Sequence, residues 1–225
     1  MGKKLNFNFN MGDMCDVMNV IDHIHWGDHF NDNVRKYSII ADSINTDKNV
    51  ADNKTTHLYK EALQRKYYGM VESLWNSGLL KENVKIIDLG CGLCTTLYNL
   101  NLQFKKYELK ATFYGVDYNE ELLKLFTKHL SQFWKDNKLH VGPKDIMKCE
   151  LSDYDLILSF QPFKANYIDK MYNKVFKEMK TGSIFHEHSG YDDCREVLMG
   201  VSSKNDMEEK YLLFGGEKQT IFIKR

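Results

Sequence analysis

Near the middle of the chain runs the sequence Val84-Lys85-Ile86-Ile87-Asp88-Leu89-Gly90-Cys91-Gly92-Leu93-Cys94, an apolar stretch that passes into a glycine-rich turn. The apolar part is short and closed by glycine, which predicts a buried β-strand. The glycines allow a tight turn and let the backbone come close to a ligand. In open α/β sheets, ligands bind beyond the carboxyl ends of the strands. The stretch therefore predicts a ligand site at the end of the first strand.

Strand-like and helix-like segments alternate over the rest of the chain. Further strands are predicted at 111–117, 139–141, 154–159 and 183–186, and helices at about 56–78, 119–134, 167–179 and 192–199. Two apolar runs, 211–214 and 220–223, flank Gly215-Gly216 and predict a terminal hairpin. Alternation of this kind implies an α/β fold with a mostly parallel sheet, and the hairpin implies one antiparallel strand.

Residues 1–56 differ in composition from the rest. They contain no Glu, a single Leu, nine Asn and eight Asp, and these last two favour turns and caps over helix interiors. We expect two units: an irregular appendage over 1–56, which could act as a lid on an acceptor site, and the α/β domain over 57–225.

Charge and composition exclude several classes of protein. Lys and Arg together number 31, as do Asp and Glu, and this balance argues against a nucleic-acid partner. No apolar run approaches the roughly 20 residues of a membrane span, and the first ten residues do not form a secretory signal. The five cysteines, an odd number, indicate a reduced, cytoplasmic compartment.

The turn after the first strand could bind either a dinucleotide or S-adenosylmethionine. A dinucleotide fingerprint needs a third glycine where Thr95 stands, and Asp88 at the mouth is unfavourable beside a pyrophosphate. That carboxylate suits a ligand with a free ammonium group, such as S-adenosylmethionine. Asp117, 25 residues after Gly92 at the end of the second strand, can accept hydrogen bonds from both ribose hydroxyls.

On these motifs the chain resembles the class I, Rossmann-like, S-adenosylmethionine-dependent methyltransferases. Asp88-x-Gly90-x-Gly92 matches the first motif, Gly115-Val116-Asp117 the second, and 154–159 the fourth-strand motif. The resemblance covers 57–225 and implies a doubly wound seven-stranded sheet with an antiparallel seventh strand. One departure is Cys94, where the family often has a third glycine. The resemblance assigns the cofactor to Asp88, Gly90, Gly92, Asp117, Tyr118, Asp145 and Ser159.

The acceptor chemistry is less sharply indicated. Amino-group methyltransferases of similar fold carry Asp/Asn-Pro-Pro-Tyr/Phe after the fourth strand, but here Phe160 replaces the amide or carboxylate. Cys91 and Cys94 form a Cys-x-x-Cys pair that we interpret as small packing residues, because no second pair exists. His23, His25 and His29 fit a polar surface better than a metal site.

We therefore expect a methyltransferase that acts on a small molecule, with oxygen favoured as the methyl acceptor: a sugar, phosphorus-linked or natural-product hydroxyl. A hydroxyl needs a general base, and the histidine candidates are His186 and His188 at the end of the fifth strand, followed by His25 and His29. Two alternatives remain open: an N-methyltransferase acting on nucleic acid or protein, and a catalytically silent member that only binds the cofactor. The sequence leaves the acceptor's identity and the oligomeric state open.

Overall fold

The computed structural model describes residues 69–92, 94–129, 137–160, 165–187, 192–214 and 216–225. The elements in chain order are α1 (Met70–Asn76), β1 (Val84–Leu89), α2 (Thr95–Lys106), β2 (Ala111–Asp117), α3 (Glu120–His129), β3 (Lys138–Pro143), a 3₁₀ turn (Ile146–Lys148), β4 (Leu156–Ser159), α4 (Ala165–Glu178), β5 (Ile184–Glu187), α5 (Asp192–Lys204), β6 (Met207–Phe214) and β7 (Glu217–Lys224).

All seven strands form one sheet in the order β3-β2-β1-β4-β5-β7-β6. The first five strands pair in parallel, β7 pairs antiparallel with β5, and β6 pairs antiparallel with β7. The strand order reverses between β1 and β4, and that switch point is where such sheets bind ligands. The predicted doubly wound seven-stranded α/β fold with a C-terminal antiparallel hairpin is confirmed.

Side-chain alternation along the strands builds a core on each face of the sheet. On one face Ile86 of β1 and Phe113 of β2 pack with apolar residues of α1 and α2. On the other face Ile87 and Phe185 pack with apolar residues of α4 and α5. β1 is buried at every position except Lys85, as its nearly continuous apolar run requires for a central parallel strand. Both faces of the central strands are therefore covered by helices, and ligands in such sheets bind beyond the strand ends.

Several element boundaries differ from the sequence prediction. The hairpin strands are longer, because cross-strand pairing carries β6 through the polar run 208–210 and β7 through the polar run 217–220. Strand β3 extends over Lys138–Pro143, since its hydrogen-bonded register with β2 runs past the apolar residues. Of the predicted helix at 56–78, the described part is Met70–Asn76, and the proposed appendage over 1–56 lies outside the described residues. Among the described helices, none has the length and apolar character to cross a bilayer.

Gly115 of β2 is predicted to be intolerant of any side chain. A Cβ there would lie 2.8 Å from Sγ of Cys91 and 3.2 Å from Sγ of Cys94, so the turn after β1 would have to move. We expect Gly115→Ala to lower the free energy of unfolding by about 1–3 kcal/mol, the usual cost of overpacking. The control is Gly142→Ala on the neighbouring strand, where a Cβ would meet no atom within 4 Å. Equal denaturation midpoints for the two variants would contradict the packing described.

Candidate active site

The turn between β1 and α2 is held against the end of β2. The backbone amides of Gly90 and Cys91 both donate to the carbonyl oxygen of Val116, at 2.9 and 3.0 Å. Gly92 has φ of 50°, in the left-handed region that glycine adopts without strain. A Cβ on Gly92 would meet no atom within 4 Å, so space remains beside this backbone for a ligand to approach.

Cys94 occupies the position where the family often has a third glycine. Its φ is 58°, again in the left-handed region, which explains the preference for glycine there. Its side chain is fully buried and forms no hydrogen bond as N-cap of α2. A hydrogen bond to the Cys94 thiol, together with burial, raises the pKa of Cys91 well above its usual value. Since metal binding and disulfide exchange need a thiolate, this environment favours packing over redox chemistry.

Asp117 ends β2 and faces the turn. One carboxylate oxygen accepts from the amide of Gly92 at 3.0 Å and the other from the amide of Asn119 at 2.9 Å. Burial raises the pKa of Asp117, and hydrogen bonds from the amides of Asn119, Gly92 and Tyr118 oppose that rise. A carboxylate has about four lone-pair positions, so these amides leave capacity for a further donor. Asp117 can therefore fix the glycine turn and still bind a ligand hydroxyl.

Asp88 lies on the same face of the sheet as Asp117. It pairs in register with Gly115, and Gly115 and Asp117 are two residues apart on β2. Asp88 is only 3% exposed, and burial, followed by the charge of Asp117, raises its pKa to about 7. Two buried carboxylates so close together repel each other, and a cationic ligand would relieve that repulsion. The pair therefore favours a positively charged ligand at the switch point.

The other three residues assigned to the cofactor surround this centre. Tyr118 follows Asp117 and is 45% exposed. Asp145 lies just after Lys144, whose amide donates to the Asp117 carbonyl oxygen, and its carboxylate accepts from the amide of Met147. Ser159 ends β4 beside Leu89 of β1, but its buried hydroxyl donates to Sδ of Met171. Ser159 thus offers a ligand its backbone rather than its side chain.

The candidate bases do not gather at this site in the described part of the chain. His186 is completely buried in β5, with Nδ1 3.0 Å from the carbonyl oxygen of Thr220 and its ring against Phe214. Because a carbonyl only accepts, Nδ1 carries the proton, and burial lowers the pKa of His186 to about 4. A base must touch the acceptor, so this position favours a structural role for His186. His188, His25 and His29 lie outside the described residues.

Beside the end of β5 lies a cavity of about 190 Å³ that the sequence analysis did not identify. We call it the β5-end cavity, and its lining includes Glu187, Arg195, Leu198, Lys218, Thr220 and Phe222. Glu187 pairs in register with Ser159, which places the cavity next to the carboxyl end of β4. Successive residues of a strand point to opposite faces of the sheet, so Glu187 lies on the opposite face from His186. The sequence could have indicated this placement of Glu187, but the approach of α5 and β7 to it depends on tertiary packing.

A family profile described as "Methyltransferase domain" matches residues 80–212, which is more than half of the chain. Two curated relatives carry the name carboxy-S-adenosyl-L-methionine synthase. The protein from Campylobacter fetus is 27% identical over 140 residues, covering 59% of this chain and 57% of the relative. The protein from Campylobacter hominis is 31% identical over 103 residues, covering 43% and 42%. The chain thus matches about half the length of each.

Solved structures share the fold at low sequence identity. Magnesium protoporphyrin IX methyltransferase from Synechocystis PCC 6803, with bound S-adenosylhomocysteine, superposes with a TM-score of 0.56 at 13% identity, covering 95% of this chain and 100% of that one. A methyltransferase from Pyrococcus furiosus gives a TM-score of 0.51 at 13% identity, covering 84% and 98%. These likenesses concern the fold, and with the family profile they confirm the resemblance drawn from the motifs.

Proposed function

The chain belongs to the methyltransferase-domain family, and from that premise we propose that it transfers a methyl group from S-adenosylmethionine to a hydroxyl of a small molecule. The observation that carries the proposal is the pair of buried carboxylates, Asp88 and Asp117, around a glycine turn that leaves room for a ligand.

The residues present fit S-adenosylmethionine. Asp117 would accept from a ribose hydroxyl, the backbone at Gly90 and Gly92 would lie against the ligand, and Asp88 would offset its positive charge. Tyr118, Asp145 and the end of β4 at Ser159 complete the proposed site. When bound, this cofactor supplies a methyl group already activated on a sulfonium, so the protein's task is largely to position the acceptor and exclude water. The solved structures of the Synechocystis enzyme with bound S-adenosylmethionine and S-adenosylhomocysteine support this choice of ligand.

Three observations favour a small hydroxyl acceptor. Phe160, partly buried at the end of β4, offers no group to orient an amine. The β5-end cavity is smaller than the roughly 300–1,000 Å³ of pockets for drug-sized ligands, which suits a compact molecule. The balanced charge of the chain argues against nucleic acid. Residues 1–56 are proposed to cover the acceptor. The alternatives are N-methylation of nucleic acid or protein, and cofactor binding without turnover.

The test uses S-adenosylmethionine labelled in the methyl group, incubated with the protein and a cell extract that is then fractionated by size. We expect label in the small-molecule fraction. Label in protein or nucleic acid would show that the acceptor is a macromolecule and not a small molecule. Cofactor binding without any methyl transfer would support a catalytically silent protein. The curated relatives are named for a carboxylated form of the cofactor, so mass spectrometry of the recovered cofactor would reveal that second activity.

The raised pKa of Asp88 predicts that cofactor affinity depends on pH. Below about pH 7 the carboxyl of the free protein is neutral, and above it the group is charged. A cationic ligand binds the charged form better, so we expect the affinity for S-adenosylmethionine to rise several-fold, up to about tenfold, between pH 6 and pH 8. Calorimetric titrations across this range check it, and Asp88→Asn should bind more weakly with a flatter pH profile.

The same pKa shift predicts an opposite effect of Asp88→Asn on stability. Because the folded-state pKa lies above the unfolded value of 3.8, the stabilising contribution is fully present below that value and is lost as pH rises to about 7. The asparagine variant avoids that loss, so without ligand at pH 8 it should be more stable than the wild type by about 1–3 kcal/mol. Identical pH profiles of unfolding for the two proteins would show that Asp88 titrates normally.

A further inference from the structure

The β5-end cavity lies one strand beyond the proposed cofactor site. Its inner wall carries Glu187, which is 8% exposed and sits next to Ser159 in the sheet. Neighbouring strands are about 4.8 Å apart, so Glu187 is about 10 Å across two strands from the end of β1. Asp88 and Asp117 lie on the other face of the sheet, so a molecule in this cavity would meet a cofactor at the switch point over the carboxyl ends of β4 and β1.

Two cations are gathered on the rim of the cavity. Lys218 of β7 lies with Nζ 4.0 Å from the ring centre of Tyr211, and Arg195 of α5 hydrogen-bonds the same tyrosine side chain. Tyr211 also donates from its hydroxyl to Glu209. Tyr211 thus brings a guanidinium and an ammonium from two separate elements to one opening. Glu209 is an acidic neighbour of Tyr211 on β6, and Tyr211 lies between it and the lysine along the hairpin.

The interior of the cavity combines an apolar surface with one carboxylate. Leu198, Met199 and Phe222 supply the apolar part, while Glu187 and Thr220 supply polar groups. A carboxylate accepts hydrogen bonds, so Glu187 suits a ligand hydroxyl, whereas Arg195 and Lys218 suit a negative charge. The cavity thus has positively charged residues at its opening and a hydrogen-bond acceptor in its interior.

We infer that this cavity holds the methyl acceptor and selects compact compounds that carry an anionic group, a carboxylate or a phosphate, at the end opposite their hydroxyl. The inference rests on the proposed function and names its substrate class. Arg195 and Lys218 hold the anion, Glu187 accepts from the hydroxyl, and the apolar residues pack against the carbon skeleton between them.

The test measures binding of defined probes to the full-length protein saturated with S-adenosylhomocysteine. The probes are 4-hydroxybenzoate, 4-hydroxyphenyl phosphate, the neutral methyl ester of 4-hydroxybenzoate, and benzoate, which lacks the hydroxyl. We expect one or both hydroxylated anions to bind at least about tenfold more tightly than the ester, and the carboxylate and phosphate arms show which anion is preferred. Glu187→Gln should lower the affinity for the hydroxylated anions and leave the affinity for benzoate unchanged.

Arg195→Gln and Lys218→Gln should each lower the affinity for the preferred anion by about tenfold. Both residues are exposed, so the variants should fold. The matched control is Lys210→Gln, a partly exposed lysine of the same hairpin that pairs with Glu208 and does not line the cavity. Any of three results overturns the inference. They are equal affinity for the ester and the anions, unchanged anion affinity in both variants, and no anion binding at 10 mM, which limits the binding free energy to about 3 kcal/mol. If S-adenosylhomocysteine itself fails to bind, the proposed function fails as well.

Discussion

Replacing Asp117 with alanine is expected to weaken the binding of both S-adenosylmethionine and S-adenosylhomocysteine by about 100-fold. The hydrogen bond from a ribose hydroxyl to this carboxylate contributes about 1.5–3 kcal/mol, and the upper end of that range corresponds to the expected loss of affinity. The variant also removes the acceptors for the amides of Gly92 and Asn119, so the glycine turn loses its attachment to the end of β2. Calorimetry with each ligand measures the change directly.

Two variants make the Asp117 result specific. Asp117→Asn keeps the shape and one acceptor oxygen, so its loss of affinity should be intermediate. Asp153→Ala removes an exposed carboxylate that pairs with Lys85, and it should bind both ligands like the wild type. If Asp117→Ala binds within twofold of the wild type, Asp117 does not hold the ribose, and the assignment of the site is wrong.

Removal of the true general base should lower kcat by roughly 10²–10⁴-fold while leaving cofactor affinity nearly unchanged. An aliphatic hydroxyl is a poor nucleophile at neutral pH, and histidine, with an unperturbed pKa of about 6.5, is suited to take its proton. The candidates for this loss are His188→Ala, His25→Ala and His29→Ala. We expect His186→Ala to act through stability instead, because the ring is buried and bonded to Thr220.

The rate measurement uses the acceptor fraction identified with labelled cofactor, under saturating S-adenosylmethionine. His140→Ala is the control, since this exposed histidine lies on the edge strand β3, far from β5, and stacks on Tyr114. If His188, His25 and His29 can each be replaced with near-wild-type turnover, positioning alone or a base other than histidine becomes the better account.

Local sequence was sufficient to predict which residues the fold brings together at the centre of the candidate site. The apolar run of β1, its glycines, and Asp117 at the end of β2 are adjacent through strand order, which the α/β pattern implies. The left-handed conformation of Cys94 is indicated by the family's preference for glycine at that position and not by the cysteine itself. The role of His186 depended on which face of β5 meets Phe214, and that choice is made by long-range packing.

The β5-end cavity illustrates the limit of sequence reasoning more clearly. Glu187, Arg195 and Lys218 lie on three different elements, and no spacing in the chain relates them. Their proximity follows from the insertion of β7 between β5 and β6, which brings the start of β7 to the end of β5. Sequence periodicity identifies each element, but not which side chains converge at the sheet's edge.

The most direct measurement is a calorimetric titration of the unmodified protein with S-adenosylhomocysteine and, separately, with NAD. The account predicts saturable one-to-one binding of S-adenosylhomocysteine and none of NAD, because the buried carboxyl of Asp88 is unfavourable beside a pyrophosphate. No binding of S-adenosylhomocysteine, or binding of NAD in its place, would contradict it.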